Sequence, residues 1–188
     1  PANLCSPEAN GNSLATVCMA TYIIVDFIIR GRDACISLHI QVSLLGISSE
    51  FSKTDVDVES IKASNWVYVE GYLVSTEKGK DAAKESKRVA EENGVRVALT
   101  FSDPFMVSTF KSGFEEIIGK GIDLLFCNEH EAMAFTGEDN VKEAAEQLKK
   151  VTKSMAITLG EKGALLYDYD ASKFINVEAP QVLSLIHI

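Results

Sequence analysis

The hydrophobic pattern of this chain changes style near Phe51. Before that point Ile, Val, Cys and Ser crowd together with sparse charges and no clear period. After it, short apolar runs alternate with helical stretches. Residues 65–72 (Asn-Trp-Val-Tyr-Val-Glu-Gly-Tyr) read as a buried strand. Residues 76–93 read as a helix, because Ala82, Ala83, Val89 and Ala90 fall near one face while Lys and Glu cover the other. Asn93-Gly94 ends it, as glycine does at a helix C-terminus. The spacing next predicts a strand over 95–101, a helix over 108–120 and a strand over 123–127. Phe110, Phe114, Ile117 and Ile118 are the apolar stripe of that helix. A short helix follows from Asn128, closed by Thr136-Gly137. Asn140 then caps a helix over 141–151. A fourth strand covers 155–159, and residues 163–168 and 173–177 form a strand pair turned at 169–171.

Strands separated by helices of this length build right-handed βαβ units and a parallel sheet. The predicted class is α/β: a doubly wound, mostly parallel sheet with helices on both faces, and an antiparallel edge from the closing pair. Three segments follow from the pattern. Residues 51–182 carry the regular alternation. Residues 1–50 are poorly patterned, and a reading-frame change upstream of Leu45-Gly46 would account for the shift in style. Residues 183–188 (Leu-Ser-Leu-Ile-His-Ile) are an apolar tail without a cap. The expectation is a truncated chain whose fold is incomplete.

Composition narrows the partners. Apolar residues at 46% and charged residues at 24% fit a soluble globular protein. A net charge of -9 without a Lys/Arg cluster argues against nucleic acid, which selects a basic face. Cys5, Cys18, Cys35 and Cys127 are widely spaced, and with three histidines they make no zinc pattern. The most apolar stretch, 17–29, contains Asp26 and is too short to span a bilayer, and no basic segment precedes it as in a signal peptide. These readings point to a cytoplasmic protein with no membrane partner.

Two motifs sit where strands hand over to the next element, the place where open α/β sheets bind ligands. Asn128-Glu129-His130-Glu131 follows an apolar run. Asn with Glu three residues later is also a capping box, available to any helix start. The functional reading keeps that geometry and adds an anion at the helix N-terminus, with Glu131 holding Mg²⁺ through water. His130 reads as solvated or packed. Thr158-Leu159-Gly160-Glu161-Lys162-Gly163 follows the fourth strand. It serves either as a glycine turn between strands or as a set of N–H groups and a hydroxyl facing phosphate oxygens. It lacks the GK[ST] ending of a Walker loop. Ser102-Asp103-Pro104-Phe105 reads as a strand-exit turn, with Asp103 as turn acceptor or helix cap. Trp66, Tyr68 and Tyr72 read as core and rim packing.

Taken in order, a strand, NxxE, a helix, a strand, TxGxxG and a strand pair resemble the ribokinase-like (PfkB) carbohydrate kinase family, in its adenosine-kinase-like branch. Asn65 to Tyr72 is similar to the family's "eGy" strand, and Val97 to Phe105 to its strand ending in a "sDPF"-like turn. The resemblance covers roughly Ile61 to Val182. It implies ATP and Mg²⁺ as cofactors, a small-molecule sugar or nucleoside as substrate, and transfer of a phosphoryl group to one of its hydroxyls. It places Mg²⁺ and phosphate at Glu131 and Asn128, and ATP along Thr158, Leu159, Gly160, Glu161, Lys162 and Gly163. The family's GAGD-like base segment falls beyond Val182, and residues 12–46 do not reproduce its sugar-binding strand and lid. No catalytic residue is therefore assigned, and this chain alone is expected to be inactive. The alternative is a non-catalytic nucleotide-binding or regulatory α/β module.

Overall fold

The computed structural model describes residues 14–17 and 47–179. Among them seven strands form one sheet: β1 (Leu14–Val17), β2 (Trp66–Val69), β3 (Arg96–Thr100), β4 (Ile122–Asn128), β5 (Thr152–Thr158), β6 (Ala164–Asp168) and β7 (Lys173–Val177). β1 to β5 pair in parallel and in chain order, and β6 and β7 add the expected antiparallel edge. The helices are α1 (Val58–Lys62), α2 (Glu77–Glu92), α3 (Pro104–Ile118), α4 (Glu129–Thr136) and α5 (Val141–Leu148). The α/β class with a mostly parallel sheet is borne out. Each crossover steps to the next strand in the same direction, and right-handed crossovers stepping one way lay their helices on one face. α2, α3, α4 and α5 pack side by side in that order. A second helical layer needs a reversal of strand order, and the described strands contain none. That part of the doubly wound expectation lies outside the described residues, as do the tail 183–188 and most of 1–50.

The core lies between the sheet and this helical layer. Val69, Leu99, Leu125 and Met155 are register neighbours across β2 to β5, and none is more than 1% exposed. Burying side chains of this size contributes about 1.5–3 kcal/mol each. One residue further along the strands, the pleat turns the row Thr100, Phe126, Ala156, Leu166 and Ile175 to the opposite face. Phe126 is 38% exposed and Ile175 36% exposed there. On the helical side, Phe101 ties three elements together: its ring lies 5.1 Å from Phe114 of α3, edge-on, and 4.7 Å from Phe135 of α4.

Local chemistry sets the boundaries. Thr76 caps α2 by accepting the Gly79 N–H at 3.0 Å, and the predicted face of Ala82, Ala83, Val89 and Ala90 is buried. The helix predicted over 108–120 begins four residues earlier. Asp103 is its N-cap and Pro104 occupies the first turn, where a missing N–H has no cost. It ends at Gly119, with φ of 54°, so Lys120 falls outside it. The strand predicted over 65–72 stops at Val69, because Gly71–Ser75 wind into a 3-10 turn. β1 falls inside the stretch in which no element was legible. A four-residue apolar segment there carries no period of its own, and only its parallel pairing with β2 distinguishes it.

Candidate functional site

β4 ends at Asn128 and β5 ends at Thr158, and these two residues are register partners in the parallel ladder. The two motifs therefore stand side by side at the carboxyl edge of the sheet. Asn128 leaves β4 with extended backbone and caps α4, its side-chain oxygen accepting the Glu131 N–H at 2.9 Å. Glu131 answers with both carboxylate oxygens. Oε2 accepts the Asn128 N–H at 2.9 Å and Oε1 accepts the Asn128 side-chain amide at 2.7 Å. Gly137, left-handed at φ of 80°, closes the helix as expected. The capping box is thus real, and its Glu is buried, 4% exposed.

Burial pushes the Glu131 carboxyl above the usual range. The Asn128 N–H opposes the shift, the nearby charges of Asp103 and Glu70 add to it, and His130 opposes it weakly. A carboxylate carries about four lone-pair positions, so two remain after the cap for a proton, a water or a hydrated cation. Among the described residues no group of three or more His, Cys, Asp and Glu side chains could enclose a metal directly. The donor set fits a hydrated Mg²⁺, which keeps several waters and needs only one or two carboxylates. His130 is exposed and lies 3.9 Å from Glu129. Cys127 is buried, and burial followed by the Glu131 charge pushes its thiol far up. It is an inert, protonated thiol.

The second motif folds into a tight loop. Leu159 N–H donates to the Gly163 carbonyl at 2.8 Å, Lys162 N–H to Leu159 at 3.2 Å and Gly163 N–H to Gly160 at 3.1 Å. Among the described residues, the N–H groups of Gly160 and Glu161 enter no such bond, so they are the pair that can meet an anion. Thr158, Gly160, Glu161 and Lys162 are exposed, while Leu159 packs against the core. The two glycines differ in purpose. A Cβ on Gly160, at φ of 59°, meets nothing within 4 Å, whereas one on Gly163, at φ of 93°, overlaps the Val177 carbonyl and lies 2.8 Å from the Ala179 nitrogen. Gly163→Ala is expected to cost about 3 kcal/mol or more, combining the clash with the left-handed penalty. Gly160→Ala should cost about 1 kcal/mol from the backbone alone. Urea unfolding of the two variants checks this, and equal losses would contradict the division.

A further pair at this edge was not legible in the sequence. Glu70, at the exit of β2, accepts the hydroxyl of Ser102, at the exit of β3. The available signal was a carboxylate followed by glycine at a strand end. Asp103 is the cap of α3, accepting the Phe105 N–H at 2.7 Å.

The sequence pattern of the pfkB family of carbohydrate kinases matches residues 41–184. A cytidine kinase of Thermococcus kodakarensis is 36% identical over 84 residues, which are 43% of this chain and 30% of that protein. The crystal structure of adenosine kinase from Sinorhizobium meliloti superimposes with a TM-score of 0.68 at 31% identity, covering 73% of this chain and 42% of that one. A probable sugar kinase from Rhizobium etli CFN 42 gives the same TM-score and coverage at 26% identity. The chain thus spans less than half the length of each of these proteins. Among the described residues no helix is long and apolar enough to cross a membrane.

Proposed function

Because this chain belongs to the pfkB family of carbohydrate kinases, we propose that the whole protein transfers the γ-phosphoryl group of ATP to a hydroxyl of a sugar or nucleoside, and that the described residues form the nucleotide and metal side of that site. The observation that supports this most is the pairing of Asn128 with Thr158, which brings the two motifs to adjacent strand ends. The cytidine kinase and the adenosine kinase named above, each more than 30% identical to this chain in the matched region, both act on nucleosides by name, which favours a nucleoside substrate.

Phosphoryl transfer needs positioning and charge neutralisation more than covalent chemistry from the protein. In this reading the Thr158 hydroxyl and the N–H groups of Gly160 and Glu161 face phosphate oxygens, and Leu159, Lys162 and Gly163 hold the loop in shape. Asn128 orients Glu131 and presents the start of α4, whose partial positive charge favours an anion. Glu131 would hold Mg²⁺ through water, with the metal supplying neutralisation of phosphate charge. Glu131 pairs with no cation among the described residues, so a divalent ion would also offset the cost of ionising it there. None of the described residues is assigned the base for the attacking hydroxyl.

The test on this chain is equilibrium dialysis against ATP with Mg²⁺ and with EDTA. Saturable binding that weakens about tenfold or more without the metal is the expected result, the scale by which disturbed metal sites lose affinity. Equal binding under both conditions would remove the metal from the reading. No binding would leave both motifs as a cap and a turn.

A further inference from the structure

Ser102 is one of two non-glycine residues with positive φ among the described residues, at 68°. It is the central residue of a three-residue turn in which Asp103 N–H donates to the Phe101 carbonyl at 2.8 Å. This is the rare, strained hand of the γ-turn, a conformation that persists only where surrounding structure enforces it. Three contacts do so. The Ser102 hydroxyl donates to Glu70 Oε1, the Ser102 N–H donates to the Thr100 hydroxyl at 3.2 Å, and Gly71 lies directly against the turn. A Cβ on Gly71 would overlap the Thr100 carbonyl and stand 2.7 Å from the Ser102 hydroxyl and 2.8 Å from the Phe101 carbonyl. The glycine is what lets the exits of β2 and β3 approach closely enough for Glu70 to reach Ser102.

The consequence falls on the next residue. Asp103 follows the strained turn and begins α3 as its cap. β3 and β4 are neighbours, the Phe101 N–H donates to the Phe126 carbonyl at 3.1 Å and the Phe101 ring lies 4.7 Å from Phe135 of α4, so the exits that carry Glu70, Asp103 and Glu131 follow one another along one edge of the sheet. The spacing of negative charge around Glu131 therefore depends on the shape of the β3 exit. We propose that Glu70 is a positioning residue for the metal and phosphate edge, holding the Ser102 hydroxyl so that the strained turn keeps Asp103 and the start of α3 in place beside Glu131. This rests on the reading of Glu131 as the residue facing Mg²⁺. Glu70 acts through Ser102 and is not itself assigned a place on the metal.

Four variants of the chain test it: Glu70→Ala, Glu70→Gln, Ser102→Ala and the double change Glu70→Ala with Ser102→Ala. Each is dialysed against ATP over a series of Mg²⁺ concentrations, well below its own melting midpoint. Glu70→Ala is expected to raise the Mg²⁺ concentration for half-maximal binding about tenfold, the lower end of what loss of a supporting hydrogen bond costs metal sites. Ser102→Ala should do the same, and the double variant should add little to either single change, as for two ends of one hydrogen bond. Glu70→Gln should stay within about twofold of the unaltered chain, since its amide oxygen still accepts the hydroxyl. A merely structural role would lower the melting temperature without moving the Mg²⁺ dependence, and that result overturns the proposal. So does a Gln variant as impaired as Ala, which would make the charge itself the active feature. A normal Ser102→Ala beside an impaired Glu70→Ala also overturns it. Absence of Mg²⁺-dependent binding in the unaltered chain overturns instead the reading of Glu131 on which this depends.

Discussion

Truncating Phe114 to alanine should remove about 3–5 kcal/mol of stability, the cost of emptying a large aromatic site in a packed core. The domain-scale total is only about 5–15 kcal/mol, so the variant should sit near its unfolding threshold. The ring is fully buried and meets Phe101 edge-on, and Phe101 in turn meets Phe135. That chain of rings links α3, the last turn of β3's exit and α4. α4 carries Glu131, so the damage should reach the site as well as the core. Urea unfolding is the measurement, with the midpoint falling and the slope unchanged if two-state behaviour holds. Phe114→Leu retains most of the volume and should lose under about 1.5 kcal/mol. Equal losses for Leu and Ala would mean that aromatic geometry, more than volume, holds these elements together.

How much of this was legible in sequence depends on how local each signal is. The sequence bounds α2 and α4 to within a residue because their caps are written in adjacent letters: Thr76 and Asn93-Gly94 for one, Asn128, Glu131 and Gly137 for the other. α3 starts four residues before its apolar stripe announces it, because Pro104 reads first as a strand exit through its effect on the residue before it. Its second property, suitability for a first helical turn, decided the outcome. The end of β2 is hidden in the sequence for a different reason. Glu70-Gly71 reads as a continuing strand until the Thr100 carbonyl is seen to occupy the space above Gly71.

The site divides along the same line. Each motif was visible by itself, and their order along the chain suggested a common edge. The register that makes Asn128 and Thr158 neighbours comes from parallel pairing across a crossover, which no short-range pattern encodes. The Glu70–Ser102 contact joins residues 32 positions apart and was invisible for that reason. The hydrogen-bonding limits of the TxGxxG loop were equally hidden. Sequence offers all of its N–H groups to a phosphate, while the folded loop uses those of Leu159, Lys162 and Gly163 internally.

Glu131→Gln should separate the helix cap from the metal role proposed for the motif, once its chemistry is followed atom by atom. Both carboxylate oxygens accept hydrogen bonds from Asn128, one from its N–H and one from its side-chain amide. Glutamine can accept only one of them, and its own amide then faces a donor. The lost bond costs about 1 kcal/mol. Against that stands the burial of a charge. A carboxyl held above its usual range in the fold contributes stability below its unfolded pKa and loses that contribution as pH rises through the folded value. Above the ordinary Glu range the unaltered chain therefore loses that contribution progressively, while the Gln variant, which does not titrate, keeps a constant stability. The two should melt within a few degrees of each other at neutral pH. The unaltered chain should gain on the variant as pH falls toward about 4.3, the ordinary Glu range. Mg²⁺ dependence should respond in another way altogether: the concentration needed for half-maximal ATP binding should rise about tenfold or more, since a neutral amide attracts a hydrated cation far less than a carboxylate. Calorimetric melting at several pH values and dialysis across Mg²⁺ concentrations read the two effects independently. Should the Mg²⁺ dependence of the Gln variant match that of the unaltered chain, Glu131 is a helix cap and nothing more.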